Sequence, residues 1–196
     1  MVKVSQADLI TGAIAGEPVS FPTDTVPALA IKPKYGERLY QLKQRPSNKP
    51  LILMGASIDD LLPYTIYTKE ELAAWQQLIR QYWPGALTLV LPASKLVPKV
   101  INSTQSNTVG IRVPNSSVAR QILQQTGVMA TTSANISGTE ALISMTAIAK
   151  TFSDVLVLED ADLPKKEKIG SGFASTVVCW QNKQWKILRQ GSIKIS

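Results

Sequence analysis

The stretch Ser116–Gly138 reads SSVARQILQQTGVMATTSANISG. Ser116–Gln125 has the spacing of a helix, and Gly127 closes it. Val128–Thr132 follows at once as a short apolar run of the kind that forms a buried strand. In Thr131–Gly138, six of eight residues are small or carry a hydroxyl. Helix, glycine, buried strand and polar turn in that order make one unit of an α/β protein. Ligands of open α/β sheets bind at strand ends. The dense donors and small side chains of this turn suit close backbone approach to a ligand, although an ordinary polar turn has the same composition.

The same alternation runs outward in both directions. Ser5-Gln-Ala-Asp8 has the shape of a capping box and opens a short helix ending at Gly16. Val19–Phe21 reads as a strand stopped by Pro22, and Gly36–Lys43 has helical spacing. Leu51–Met54 is another buried-strand run, and Ser57–Leu62 is a helical turn. Lys69–Tyr82 is an amphipathic helix with Leu72, Trp75, Leu78, Ile79 and Tyr82 on one face, ended by Pro84-Gly85. Leu87–Leu91 and Val109–Val113 read as strands, Ser144–Phe152 as a helix and Val155–Glu159 as a strand. Lys165–Gly172 reads as a mobile loop with the position of a lid. Thr176–Trp180 and Trp185–Leu188 pair as a terminal hairpin. The expected fold is therefore α/β with a mixed sheet, and no shift in composition divides residues 1–196 into more than one domain.

Composition narrows the chemistry. The chain has 196 residues, 44% of them hydrophobic and 18% charged, which is enough apolar mass for a core. No apolar run approaches the roughly 18 residues of a membrane span. Met1–Gly16 holds Lys3 and Asp8 rather than a continuous hydrophobic block, so no secretory signal is read there, and a cytoplasmic, membrane-free protein is expected. Cys179 is the single cysteine, which leaves no internal disulfide and no cysteine-rich zinc site. Histidine is absent, which removes the Ser-His-Asp triad and histidine bases. The net charge of +7 points to anionic partners, or simply to solubility. Six cations and one anion lie between Lys32 and Lys49, a local net charge of +5. Lys165, Lys166 and Lys168 form a second cluster.

Four further segments carry candidate chemistry. Phe21-Pro-Thr-Asp-Thr-Val26 puts two hydroxyls and a carboxylate at a strand end. Lys43-Gln-Arg45-Pro-Ser-Asn-Lys49-Pro gathers three cations at a solvated helix end. That pattern suits a polyphosphate, and it equally suits the helix macrodipole. Arg112, inside the apolar strand Thr108-Val-Gly-Ile-Arg112, needs a partner, either an internal carboxylate or a ligand anion. Arg189-Gln-Gly191 closes the terminal strand with another guanidinium. There is no Walker A loop, no G-x-G-x-x-G and no metal-ligand cluster, so any magnesium would arrive with phosphates.

Together and in order, these segments resemble the YrdC-like (YrdC/YciO) family of threonylcarbamoyl-adenylate synthases. The matching stretches are Phe21–Val26, Leu42–Pro46 with Pro50–Leu53, Trp83–Thr88, Gly110–Pro114, Thr132–Gly138, Ser175–Val178 and Leu188–Gly191. The family's Lys-x-Arg and Ser-x-Asn signature stands here as Lys43, Arg45, Ser133 and Asn135. The resemblance implies one twisted α/β domain with a concave basic cavity. It implies an enzyme that joins L-threonine, bicarbonate and ATP into threonylcarbamoyl-AMP and pyrophosphate, with a separate transferase then modifying tRNA. It implies Lys43, Arg45, Ser133 and Asn135 as catalytic residues and Thr25, Arg112 and Thr131 around threonine. Lys43, Arg45, Lys49, Thr108, Ser133 and Arg189 would then surround ATP, with Mg2+ carried by the nucleotide and no protein-ligated metal.

Some positions depart from the family pattern. Pro27-Ala28 stands where an aromatic residue and glycine are usual, setting a rigid residue and an extra methyl against the pocket floor. Thr139–Ile143 replaces a proline-rich stretch, Lys49 an asparagine of some members and Met54 a histidine of some. The chain ends near the last matching motif, leaving no room for the extra C-terminal domain of longer members. Two other readings accompany the synthase: a non-enzymatic module binding double-stranded RNA or tRNA, and a paralogous adenylating or carbamoyl-transfer enzyme with another substrate.

Overall fold

The computed structural model describes residues 3–46, 48–102, 106–163 and 170–195. The first half of the chain gives β1 (Lys3–Val4), α1 (Gln6–Ala15), β2 (Val19–Phe21), β3 (Ala28–Ile31), α2 (Glu37–Lys43), β4 (Ile52–Met54), α3 (Ile58–Leu61) and α4 (Lys69–Tyr82). Then come β5 (Leu87–Pro92), β6 (Thr108–Arg112), α5 (Ser117–Thr126), β7 (Met129–Ser133), α6 (Met145–Thr151), β8 (Leu156–Leu158), β9 (Thr176–Gln181) and β10 (Gln184–Arg189).

Helix ends follow local chemistry. The Ser5 hydroxyl accepts from the Asp8 amide at 3.2 Å, and Gly16 closes α1 at φ 98°, a left-handed conformation that favours glycine. Ser57 with Asp60 and Thr68 with Glu71 form reciprocal capping boxes on α3 and α4. Ser116 caps α5 and Ser144 caps α6.

Among the described residues ten strands join one sheet in the order β1-β8-β2-β3-β7-β4-β6-β5-β9-β10. Pairing is parallel for β1/β8, β2/β8, β4/β6 and β5/β9, and antiparallel elsewhere, so the sheet is mixed as expected. Two strands escape the sequence reading, β1 and β3. β3 is the run Ala-Leu-Ala-Ile, buried at every position, so it lacks the alternation that marks a half-exposed strand. Two of its four residues are alanines, which are depleted in strands. The β9–β10 hairpin forms as expected, with Asn182 and Lys183 both at positive φ in its turn. A register shift interrupts it between Ile187 and Arg189.

Each face of the sheet carries a core cluster. Leu29 and Ile31 of β3 join one core cluster with Leu39 of α2, Trp75 of α4 and Ile148 of α6. Ala28 and Ala30, alternating with them, join a second cluster with Leu9 of α1 and Ile122 of α5. On that second face α1 and α5 pack over β2, β3 and their neighbours, leaving the middle and the β10 side of the sheet as a floor. Strand register then sets Thr131, Ile52, Gly110, Val90 and Cys179 in one row across five strands. Glycine is required within that row, because a Cβ on Gly110 would lie 2.8 Å from Ile52 Cγ2.

Candidate functional site

That row floors a cavity of about 700 Å³, in the range of small-molecule sites. Its wall includes Thr25, Arg45, Thr108, Arg112, Thr131, Ser133 and Arg189. Seven candidate residues, from five separate segments, therefore meet in one space. Lys43, Lys49 and Asn135 are not on that wall.

Lys43 differs from its expected place. It does not stand at a solvated helix end: it is 1% exposed. Its Nζ donates to the Ser133 carbonyl, to the Asn135 carbonyl at 2.6 Å and to Asn135 Oδ1 at 3.1 Å. These use all three ammonium donors. The physical reason is placement: α2 ends against the turn after β7, so the side chain enters protein rather than water. Burial, and then the charge of Arg45, lower the Lys43 pKa from the lysine range to about 7.

Asn135 knits the same turn. Its Oδ1 accepts from the Ser133 hydroxyl at 2.6 Å, and its Nδ2 donates to the carbonyls of Ile136 and Thr139, both at 2.8 Å. Lys43 and Asn135 thus lie behind Ser133 and fix its position on the wall.

Arg45 projects from the turn after α2. Its Nε donates to the Lys49 carbonyl at 3.0 Å and its Nη2 to the Pro50 carbonyl at 3.1 Å. Burial lowers its pKa, while Tyr40 opposes the shift. Lys49 thus contributes a backbone oxygen here and holds its exposed side chain away from the wall.

Arg112 is 3% exposed, and its partner is an internal carboxylate. Its Nη2 donates to Asp24 Oδ1 at 2.6 Å, Nη1 to the Thr25 hydroxyl at 2.8 Å and Nε to the Gly85 carbonyl at 3.1 Å. Burial lowers its pKa, Asp24 works against that, and the charge of nearby Arg189 adds to it. The Thr25 hydroxyl also lies 3.0 Å from that of Thr23, which donates to the Val26 carbonyl. Thr131, on the floor beside them, is 3.5 Å from the Ile52 carbonyl.

At the far side Arg189 donates through Nε and Nη2 to the Ser175 carbonyl, at 3.1 and 2.9 Å. The Ser175 hydroxyl lies 2.8 Å from that of Thr88. Thr88 and Ser175 both line the cavity, yet sequence reasoning assigned them no role. Both fall inside segments that carry the family resemblance, which was the available signal.

Pro27 and Ala28 also face the cavity, as their sequence position implied, and Ala28 pairs with Ser133. Lys165, Lys166 and Lys168 fall outside the described residues, so the lid expectation for that part does too. The end of that stretch is tied down: the Ser171 amide donates to the Asp24 carbonyl and the Gly172 amide to the Thr25 carbonyl, both at 3.0 Å. Gly170 sits at φ 59°, where a Cβ would lie 2.2 Å from the Thr25 oxygen. Among the described residues no cluster of His, Cys, Asp or Glu could hold a metal ion, and no helix is long and apolar enough to cross a membrane.

Comparison with known proteins bears on this arrangement. Residues 14–191 match the profile Sua5_yciO_yrdC, described as "Telomere recombination". A threonylcarbamoyl-AMP synthase of Pyrococcus abyssi is 36% identical over 141 residues, covering 70% of this chain and 40% of that protein. One from Pseudoalteromonas translucida is 33% identical over 152 residues, covering 76% of this chain and 80% of that protein. The crystal structure of P. abyssi Sua5 complexed with L-threonine superimposes with a TM-score of 0.80 at 29% identity, covering 96% of this chain and 55% of that one. The chain thus spans about half or less of the Pyrococcus relative and four-fifths of the Pseudoalteromonas one.

Proposed function

The chain belongs to the Sua5–YciO–YrdC family, and from that premise we propose that it is an L-threonylcarbamoyladenylate synthase, a nucleotidyltransferase of the cytoplasm. One observation carries the reading. Arg112, held to the Thr25 hydroxyl, lines the same cavity as Arg45 and Arg189. That supports an amino-acid end and a polyphosphate end within one cavity.

The chemistry needs no histidine. The amine of threonine adds to bicarbonate and expels water to give a carbamate. A carbamate oxygen then attacks the α-phosphorus of ATP, the bond to the β-phosphate oxygen breaks, and pyrophosphate leaves. All reactants are anionic or zwitterionic, so the task is to hold them together and stabilise developing charge. Arg112 would take the carboxylate of threonine through its two remaining Nη–H donors. Thr25 and Thr131 would meet the side-chain hydroxyl. Arg45, Ser133, Thr108 and Arg189 would hold the nucleotide, with Lys43 and Asn135 fixing Ser133 from behind. Lys49 would act on the phosphates through its charge rather than from the wall. Magnesium would come with ATP and shield its phosphates. A separate transferase would pass the threonylcarbamoyl group to tRNA, for which the basic chain would have an affinity falling steeply with salt.

The test is ATP–pyrophosphate exchange by the purified protein, with and without threonine and bicarbonate. Exchange that requires both is the expected result. No exchange under any condition, with tight binding of duplex RNA that ATP does not displace, would replace the synthase with an RNA-binding module.

A further inference from the structure

Charge is distributed unevenly along the cavity. Arg112 pairs with Asp24 at 2.6 Å, and the two side chains are 4% and 14% exposed. The other ion pairs among the described residues are Lys3–Asp160 and Arg38–Glu17. Arg45 and Arg189 instead donate to carbonyl oxygens, and Arg189 also to the Ser175 hydroxyl. Among the described residues no carboxylate forms an ion pair with either, while the charge of Arg112 is neutralised. Asp24 itself stands behind the wall, between Thr23 and Thr25, which are on it. Its carbonyl is held by the Ser171 amide, and the next carbonyl by the Gly172 amide. The backbone that carries the neutralising carboxylate is thus tied down on both carbonyls, and the carboxylate itself is held by Arg112.

We infer that Asp24 is a specificity-determining residue, which makes the Arg112 end of the cavity select a zwitterion over a bare anion. The inference deepens the synthase reading and rests on it for the identity of the amino acid. Arg112 uses one N–H on each nitrogen for protein contacts, which leaves one on each Nη for a carboxylate. A zwitterion brings no net charge to this neutral pair. A bare carboxylate or a phosphate oxygen leaves an extra negative charge beside a largely buried pair, which is costly. The same anion gains more beside Arg45 and Arg189. Asp24 thereby keeps the polyphosphate from occupying the amino-acid end, and the two substrates sort themselves within one cavity.

Titration calorimetry with threonine, 3-hydroxybutyrate (threonine without its amine) and pyrophosphate tests this in the wild type, Asp24→Asn and Asp24→Glu. The wild type should bind threonine at least about tenfold more tightly than 3-hydroxybutyrate. Asp24→Asn should narrow that ratio about tenfold and bind pyrophosphate about tenfold more tightly, while Asp24→Glu keeps the wild-type pattern. An unchanged ratio in Asp24→Asn, or equal affinities in the wild type, overturns the inference. If the wild type binds neither carboxylate, the threonine reading falls, and the pyrophosphate arm still decides: no gain in Asp24→Asn overturns the role of Asp24. If Asp24→Asn does not fold, the wild-type ratio and its retention in Asp24→Glu decide, and loss of selectivity in Asp24→Glu overturns it.

Discussion

Lys43 and Asn135 are joined twice, from the lysine Nζ to the Asn135 carbonyl at 2.6 Å and to its side-chain oxygen at 3.1 Å. A third tie runs the other way, from the Ser137 amide to the Lys43 carbonyl at 2.9 Å. The end of α2 and the turn after β7 are therefore one unit. The Lys-x-Arg and Ser-x-Asn motifs, 90 residues apart, meet because one supplies the donors that the other accepts. Within that unit Arg45 and Ser133 face the cavity, and Lys43 and Asn135 hold them there.

Lys43 and Arg45 should consequently fail in different ways. Lys43→Met leaves three buried oxygens without their donor, at about 1–3 kcal/mol each, offset in part because a charged amine is no longer buried. A net loss of about 2 kcal/mol, or roughly 4–8 °C in Tm, is expected alongside weakened ATP binding. Arg45→Met should cost ATP binding about a hundredfold with Tm nearly unchanged, because its partners are carbonyls of a solvent-facing turn. Thermal denaturation and calorimetry separate the two, and equal Tm values for both variants would contradict the assignment.

Lys43 also predicts a proton. Its pKa is about 7 in the free protein, and a bound polyphosphate favours the ammonium and raises that value. At a pH slightly above 7, ATP binding should therefore take up a fraction of a proton. Calorimetry in two buffers of different ionisation enthalpy reads this directly, and identical enthalpies in both would rule it out. The stability linkage has a definite sign. Between about 7 and 10.5 the unfolded chain holds a proton that the folded chain has lost, so the contribution of Lys43 to stability rises with pH across that window. In Lys43→Met that rise should disappear.

Ala28 and Pro27 test selectivity for threonine. A site that hydrogen-bonds a hydroxyl rejects ligands without one, because its own polar groups are then unpaired. If Thr25 and Thr131 meet the hydroxyl of threonine, threonine should be preferred to valine by on the order of a hundredfold. Pro27→Tyr with Ala28→Gly should reshape the floor beside Ser133 and change that ratio, at about 1 kcal/mol of strand stability for the glycine. Adenylate formation with threonine, serine and valine measures it. Equal rates for threonine and valine in the wild type would remove threonine as the substrate and leave the nucleotide end intact.

Gly170 packs against the Thr25 backbone, and Ser171 and Gly172 after it hold the Asp24 and Thr25 carbonyls. Gly170→Ala would place a Cβ 2.2 Å from the Thr25 oxygen at a φ that only glycine adopts freely. The segment must then shift, and Arg112 with it. The expected result is a raised KM for threonine with the Kd of ATP within about twofold, because Arg45 lies on a separate turn. Equal losses for both substrates would mean that residues 170–172 support the whole cavity instead.

Much of the architecture was legible because its signals are local. α4 shows its period through Trp75, Leu78 and Ile79, and its start through Thr68 and Glu71. β2 was bounded by Pro22 and found over the residues expected. β3 was not legible, because a short, alanine-rich strand buried on both faces has no period to read. The candidate site was legible as residue types and not as depth. Lysine is rarely buried, and the oxygens that hold Lys43 belong largely to backbone, which looks alike at every position. The partner of Arg112 lies 88 positions away, so the need for a carboxylate could be stated while its identity could not. Thr88 and Ser175 meet across 87 positions, and nothing in either segment alone joins them.

The strand order carries a consequence for how the chain is made. β4 finds its sheet neighbours, β6 and β7, only in later sequence, and β3 waits for β7 on its second side. During synthesis the edges of both strands stay open until Ser133 has emerged. Parallel pairing of Lys3 with Val157 must then close the longest loop in the sheet. Such distant pairings slow folding, because chain entropy is lost before the contacts that reward it have formed. The interval between the emergence of Met54 and that of Ser133 is therefore when the nascent chain is most exposed to mispairing with its neighbours, and when a chaperone has most to protect.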